Sequence, residues 1–234
     1  IQDLAYSNDL PAGYSERMLL AAPLVQAVPN GLEARRAALT EPMAVGLHAV
    51  NRAAIAPGDG ALVMGCGPVG IAVIAALKRR GVEPIVAADY SSMRRSLATQ
   101  MGAHHVVDPA ASDVFDTWTD HGGARPLAIF EAVGVPGVID SALQAAPPKA
   151  RIVVVGVCMG DDRITPFWGI AKELSVHFAF GYELDEFSDT LRAIAEGEVD
   201  VEPMITGEVG IEGVAEAFED LGNPERHCKI LVTS

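Results

Sequence analysis

Through the middle of the chain, apolar positions fall into two alternating rhythms. Short, largely apolar runs at 61–64, 84–89, 105–108, 127–130, 151–155 and 174–180 read as strands, those at 61–64 and 127–130 as buried ones. Between them lie segments with a broad apolar surface and helix punctuation. Val69, Ile71, Ala72, Ile74, Ala75 and Leu77 make one such surface, with Lys78, Arg79 and Arg80 at its basic end and Gly81 able to cap it. Ser91 or Ser92 can cap a helix reaching about Met101, which Gly102 closes. Further helices are expected over 112–121, ended by Gly122-Gly123, over 137–145, ended by Pro147-Pro148, and over 166–173. Six strands separated by helices predict an α/β fold with a doubly wound, six-stranded parallel sheet.

The flanks have a different rhythm. Residues 1–40 alternate short apolar pieces with turns at Pro11-Ala12-Gly13-Tyr14 and Pro29-Asn30-Gly31, with strand-like stretches at 16–20 and 25–28. This is the texture of an irregular β-rich unit. Thr40 then offers a helix cap and Pro42 suits a first turn, ahead of a stripe of Met43, Leu47, Val50 and Ala54. After Gly181, Leu184, Phe187, Leu191 and Ile194 mark an amphipathic helix ended by Gly197. A short strand at 204–206, a helix through Ile211, Val214, Phe218 and Leu221, and a last strand at 229–232 follow. The chain therefore divides into 1–42, a nucleotide-binding block at 43–181, and 182–234, the two flanks forming one interrupted module.

Composition narrows the class. At 234 residues, half of them hydrophobic, the chain can bury a real core, and no apolar run reaches the ~18 residues of a membrane span. With 17 basic and 31 acidic side chains the net charge is −14, a field that repels nucleic acid and anionic membranes. Cys66, Cys158 and Cys228 are far apart, so neither a disulfide framework nor a cysteine zinc site is expected, and a reducing cytoplasm suits them. The chain opens on Ile1 without a signal peptide, so an upstream part is expected to be missing.

The chemistry concentrates at Gly65-Cys66-Gly67-Pro68-Val69-Gly70 and at Asp89, 19 residues after the last of these glycines. A strand, a three-glycine turn, a helix and then a carboxylate ending the next strand form a dinucleotide-binding fingerprint. Gly65 permits the tight exit from the strand, Gly67 lets a pyrophosphate approach the backbone, and Gly70 lets the helix pack on the sheet. The helix N-terminus attracts the phosphates. Asp89 can accept from both adenosine-ribose hydroxyls and would repel a 2′-phosphate, which favours NAD over NADP. The plainer alternative is a glycine-rich turn without a ligand, and the strand–turn–helix context argues against it.

These residues, with 37–50, Pro57-Gly58-Asp59, Met101-Gly102-Ala103, Glu131-Ala132-Val133-Gly134, Ile205-Thr206 and 225–232, resemble the medium-chain dehydrogenase/reductase superfamily. The likeness lies on its zinc alcohol and polyol branch, with members acting on sorbitol or threonine. It implies a Rossmann domain set between parts of a β-rich, GroES-like catalytic domain. The earlier part of that domain, which carries a Cys ligand, a His-Glu pair and a four-cysteine zinc lobe, has no counterpart in this chain.

The resemblance also implies roles. Glu41 matches the position that approaches the catalytic zinc directly or through its water, where a carboxylate can serve as ligand and proton acceptor. Its alternative is a first-turn glutamate favoured by the helix dipole. Val69 matches the residue backing the nicotinamide ring, and Arg94 the basic residue near the ribose. Arg94 and Arg95 can also be solvated helix charges, or suggest a 2′-phosphate. Val133, Gly156, Val157 and Phe180 fall where the family's loops hold the nicotinamide end, and Lys229 matches a pyrophosphate contact. His48, seven residues after Glu41 and so about 10 Å further along one helix, cannot share its metal and reads as a packed histidine. The other five histidines show no ligand spacing.

The expected function is the NAD-binding part of a zinc-type alcohol or polyol dehydrogenase, binding NAD but not oxidising alcohols alone. The resemblance further implies a homodimer or homotetramer paired through the Rossmann sheet edge at 152–180. Two alternatives stay open: a zinc-free quinone or enoyl reductase, which would favour NADPH, and a non-catalytic nucleotide-binding or dimerisation module.

Overall fold

The computed structural model describes residues 20–233. The expected turn at 11–14 and most of the strand-like stretch at 16–20 lie outside these residues. The apolar runs become strands β1 (Gly60–Met64), β2 (Ile85–Ala88), β3 (His105–Val107), β4 (Leu127–Glu131), β5 (Arg151–Val154) and β6 (Ser175–Phe178). All pair in parallel in the order β3-β2-β1-β4-β5-β6, which is a doubly wound sheet. The chain leaves β1 toward one edge and returns through β4 toward the other, so a crevice opens beyond the C-terminal ends of β1 and β4.

Helices α1 (Ala34–Ala37) and α2 (Thr40–Arg52) precede the sheet; α3 (Pro68–Arg79), α4 (Ser92–Met101), α5 (Val114–Gly122), α6 (Val138–Ala145) and α7 (Pro166–Lys172) connect its strands. After β6 come α8 (Leu184–Ala195), β7 (Ile205–Gly210), α9 (Val214–Leu221) and β8 (Lys229–Thr233). β7 and β8 form a separate two-stranded parallel sheet.

Alternation along each strand divides the core into two layers. Ala61, Val63, Ala128, Phe130 and Val153 face the layer built with α2, α3 and α4. Leu62, Ile129, Ile152 and Val154 face Val114, Trp118, Ala142 and Leu143 of α5 and α6. The end of α8 and the segment after it enter the first layer: Ile194, then Val201 and Met204, are buried in it with Leu47 and Leu77, while Leu184 at the start of the expected stripe is exposed. Packing is therefore continuous across residue 181. Gly46 sets how closely α2 lies on α3, since a Cβ there would stand 2.4 Å from the Ala72 carbonyl carbon.

Two local expectations change. Thr40 is not a cap: it is already helical, and its buried hydroxyl donates to the Ala37 carbonyl at 2.7 Å. α5 starts at Val114 because Asp113, not Ser112, accepts from the Phe115 N–H at 2.7 Å. Of the expected β-rich start, residues 20–39 hold a 3-10 turn at Ala22–Leu24 and α1 but no strand, and Val25 and Val28 are exposed.

Candidate functional site

Three backbone facts shape the turn after β1. Gly65 sits at φ +91°, a conformation L side chains avoid. A Cβ on Gly70 would meet the Gly65 carbonyl oxygen at 1.9 Å, so this position must be bare for α3 to start where it does. Gly67 differs. Its φ of −67° suits any residue, and a Cβ there would meet only the Arg94 guanidinium, at 3.9 Å. Its bareness serves the space in front of it. Gly67 is the N-cap of α3 with Pro68 at N1, and no side chain caps this end. The first-turn N–H groups thus face the crevice with the positive end of the helix dipole behind them. Val69 packs on the core from this turn and is half-buried.

Asp89 stands just past β2. Its Oδ2 accepts from the Cys66 N–H at 2.8 Å and its Oδ1 from the Ser91 N–H at 2.8 Å, which fixes the carboxylate between the glycine turn and α4. Each oxygen keeps a second lone pair for a ribose hydroxyl. Arg94 Nη1 lies 3.8 Å from Asp89 Oδ2, and the Arg94 Nε is buried without a partner among the described residues. Arg94 therefore spans the ground between the carboxylate and Gly67. Arg95 turns away, donating to the carbonyls of Asp89 and Tyr90, both at 2.8 Å, and pairing with Asp108 at 3.2 Å.

A residue that sequence reasoning missed as a site element closes this end. Glu225, from the loop before β8, accepts from the Ser92 N–H and hydroxyl, both at 2.9 Å, and from the Met93 N–H at 3.3 Å. The Ser91 hydroxyl donates to the neighbouring Pro224 carbonyl at 3.0 Å. The hydroxyls of Ser91 and Ser92, with the two N–H groups, hold the Glu225 carboxyl below its ordinary pKa. No local pattern announces a contact between residues 133 apart.

At the other end, β4 and β5 supply the wall. Buried Glu131 turns back to accept from the Val133 and Gly134 N–H groups at 2.8 and 2.9 Å. A Cβ on Gly156 would lie 2.3 Å from Gly134 N, so these two loops touch backbone to backbone. Val133, Val157 and Phe180 are exposed beside them, offering an apolar surface at the strand ends. Lys229 is half-buried at the start of β8. The structure thus brings the glycine turn, Asp89 and Arg94 together, and sets the same turn against the loop of Val133, which Gly156 and Val157 join: a Cβ on Gly65 would stand 3.0 Å from Val133 Cγ2.

Glu41 stands apart from a donor set. It is exposed in the first turn of α2, and among the described residues no group of three or more His, Cys, Asp and Glu side chains can hold a metal. His48 is occupied structurally: its Nδ1 lies 2.8 Å from Glu186 Oε2, linking α2 to α8. Burial pushes the Glu186 carboxyl up, but the Glu183 N–H, Asn51 and His48 outweigh it and leave the pKa lowered. His105 and His121 stack at 3.6 Å on the β3 edge. Burial drives the Cys66 thiol up to about 12, so it is a packed group and not a nucleophile.

The model of the family described as zinc-binding dehydrogenase matches residues 68–196, more than half of the chain. The chain belongs to that family. Among its relatives, (R,R)-butanediol dehydrogenase of Bacillus subtilis is 34% identical over 94% of this chain and 64% of its own length. L-threonine 3-dehydrogenase of Pyrococcus furiosus is 31% identical over 92% of this chain and 62% of its own. The crystal structure of 2R,3R-butanediol dehydrogenase from Bacillus subtilis superposes with a TM-score of 0.79 at 33% identity, covering 88% of this chain and 60% of that one. The chain therefore carries the family's cofactor-binding domain and spans less than two thirds of the length of these relatives.

Proposed function

We propose that this chain is the NAD-binding part of an oxidoreductase of the zinc alcohol dehydrogenase type, acting between nicotinamide and a primary or secondary alcohol or polyol. The observation that carries this reading is Asp89, a carboxylate held at 2.8 Å by both the glycine turn and α4 while facing the crevice. The similarity to butanediol and threonine dehydrogenases supports the substrate class.

Bound NAD would supply the hydride-accepting nicotinamide carbon. Gly65, Gly67, Pro68 and Gly70 hold the pyrophosphate on the α3 N-terminus, with Arg94 and Lys229 as cationic partners. Asp89 orients the adenosine ribose. Val69 backs the nicotinamide, and the chain around Val133, Gly156, Val157 and Phe180 receives its carboxamide and keeps water away. Glu41 is assigned to the substrate side, as a carboxylate able to take a proton. Among the described residues no group of three or more His, Cys, Asp and Glu side chains can hold a metal, so Glu41 would not retain zinc by itself.

The division at 1–42, 43–181 and 182–234 is part of this proposal, with Ile194, Val201 and Met204 buried on the nucleotide-binding core. Sheet-edge pairing into a homodimer or homotetramer is supported by exposed Val176 and Phe178 on β6 and by Phe167 and Ile170 on α7. A cytoplasmic setting is supported by three free cysteines. No described helix is long and apolar enough to cross a membrane.

Calorimetry tests the core of the proposal. Micromolar NAD binding without alcohol turnover by the 234-residue chain is expected, and absence of NAD binding would overturn it. The missing ligand set favours a second reading, a nucleotide-binding module without catalysis. NAD binding together with a longer frame encoding zinc ligands upstream of Ile1 would remove it. Light scattering that finds a monomer would refute the sheet-edge pairing.

A further inference from the structure

We propose that Glu225 is a second selectivity residue of the dinucleotide site, one that bars a 2′-phosphate from its adenosine end. The inference rests on the NAD-site reading above and concerns which cofactor that site refuses. A phosphate attached to the 2′-oxygen, next to Asp89, would turn to the nearest free donors. Those are the first N–H groups of α4 and the two arginines that follow.

Most of these donors are already held; the exception is the Arg94 guanidinium, which lies 3.8 Å from Asp89 and whose Nε has no partner among the described residues. The Ser91 N–H donates to Asp89 at 2.8 Å, and the Arg94 N–H donates to the Ser91 hydroxyl at 3.1 Å. The Ser92 N–H and hydroxyl donate to Glu225 at 2.9 Å, and the Met93 N–H does so at 3.3 Å. Arg95 is bound to two carbonyls and to Asp108. The anion site that a helix N-terminus offers is therefore filled by the protein's own carboxylate. Apart from the Arg94 guanidinium, which already faces Asp89 at 3.8 Å, a dianionic phosphate would have to displace Glu225 or sit beside two negative charges, Asp89 and Glu225. NAD, with a neutral 2′-hydroxyl, needs only Asp89. Selectivity is thus divided between Asp89, just past β2, and Glu225, which reaches Ser92 from 133 residues further along the chain.

The test compares 5′-AMP with 2′,5′-ADP, two probes that differ by the 2′-phosphate alone, by calorimetry on the full chain. Glu225→Gln keeps an oxygen for the Ser92 N–H and removes the charge; Glu225→Ser serves the same comparison should the first variant not fold. One negative charge about 5 Å from a doubly charged phosphate in a water-like medium corresponds to a change on the order of tenfold. The expected result is therefore that 2′,5′-ADP tightens by about tenfold relative to 5′-AMP, with 5′-AMP itself within about twofold of wild type. In Asp89→Ser/Glu225→Gln the preference should move further toward 2′,5′-ADP than in Asp89→Ser. An unchanged ratio in Glu225→Gln, with 5′-AMP still bound, overturns the role of Glu225 and leaves the NAD site standing. Failure of the wild-type chain to bind 5′-AMP overturns the NAD-site reading and this inference with it.

Discussion

The glycines of the turn after β1 are predicted to have separable roles, and alanine at each tests this. At Gly70 the added methyl would begin 1.9 Å from the Gly65 carbonyl oxygen, a backbone atom that no rotamer change can move. Relief needs a shift of more than an ångström at the start of α3, which is packed on the sheet. Overpacking of this kind costs about 3 kcal/mol or more. In a chain of this size that lowers the melting temperature by about 6–12 °C. At Gly67 the methyl meets nothing closer than 3.9 Å, and the backbone angles suit alanine. A slightly poorer N-cap and a less flexible unfolded chain offset one another, so stability should stay within about 0.5 kcal/mol. The methyl does fill the space between Gly67 and Arg94 where the pyrophosphate is assigned. NAD affinity should fall by at least about tenfold, or about 1.4 kcal/mol. Thermal melts by circular dichroism and NAD titration by calorimetry read the two effects independently. A Gly70→Ala protein as stable as wild type, or a Gly67→Ala protein that binds NAD normally, would refute the assignment.

Further outcomes follow from the packing and charges. Asp59 is buried and takes 2.6 and 2.7 Å hydrogen bonds from Arg151 and the Ala56 N–H. Asp59→Ala leaves the guanidinium without a counter-charge, held only by the Ala53 and Ala54 carbonyls, and should cost about 3 kcal/mol, read as the urea midpoint, with Arg151→Met costing clearly less. Phe130 is fully buried at the centre of the sheet, so Phe130→Ala should cost about 4 kcal/mol in the same assay. Arg79 holds Asp189 at about 2, below its ordinary 3.8, with Arg192 assisting. A carboxyl depressed in the folded state stabilises fully above its unfolded pKa and loses that contribution as pH falls toward 2. Asp189→Asn should flatten the stability curve between about pH 4 and 2. The effect should stay under about 1 kcal/mol, because the pair is partly exposed and screened. An unchanged acid slope would refute the role given to that pair.

Local pattern was enough for the parallel sheet. Each strand is a short apolar run and each helix carries its own stop signal, so the βαβ rhythm and the roles of Gly65, Gly67 and Gly70 were legible from neighbours within about ten residues. Helix starts were less legible: Thr40 reads as a cap but lies inside α2, and the helix expected from 112 begins at Val114 behind the Asp113 cap. The zinc-binding dehydrogenase family was likewise legible in ordered motifs. The helix at α8 was legible, but its buried face, Thr190, Leu191, Ala193 and Ile194 with Leu184 left exposed, depends on packing against residues more than a hundred positions away.

The candidate site divides in the same way. Asp89 could be named from its distance to the glycine turn, because strand, turn, helix and strand force that spacing. Its fixed orientation could not, since that depends on N–H groups of Cys66 and Ser91 that converge only after β1 and β2 pair. Glu225 lay wholly beyond local reading: a carboxylate in a loop carries no signal of which helix end it will cap. What the sequence determined by itself was the repeating unit and its phosphate turn, because both are periodic and local. What the tertiary structure decided was which donors around that turn remain free, because a hydrogen bond is satisfied by whatever the fold brings within 3 Å.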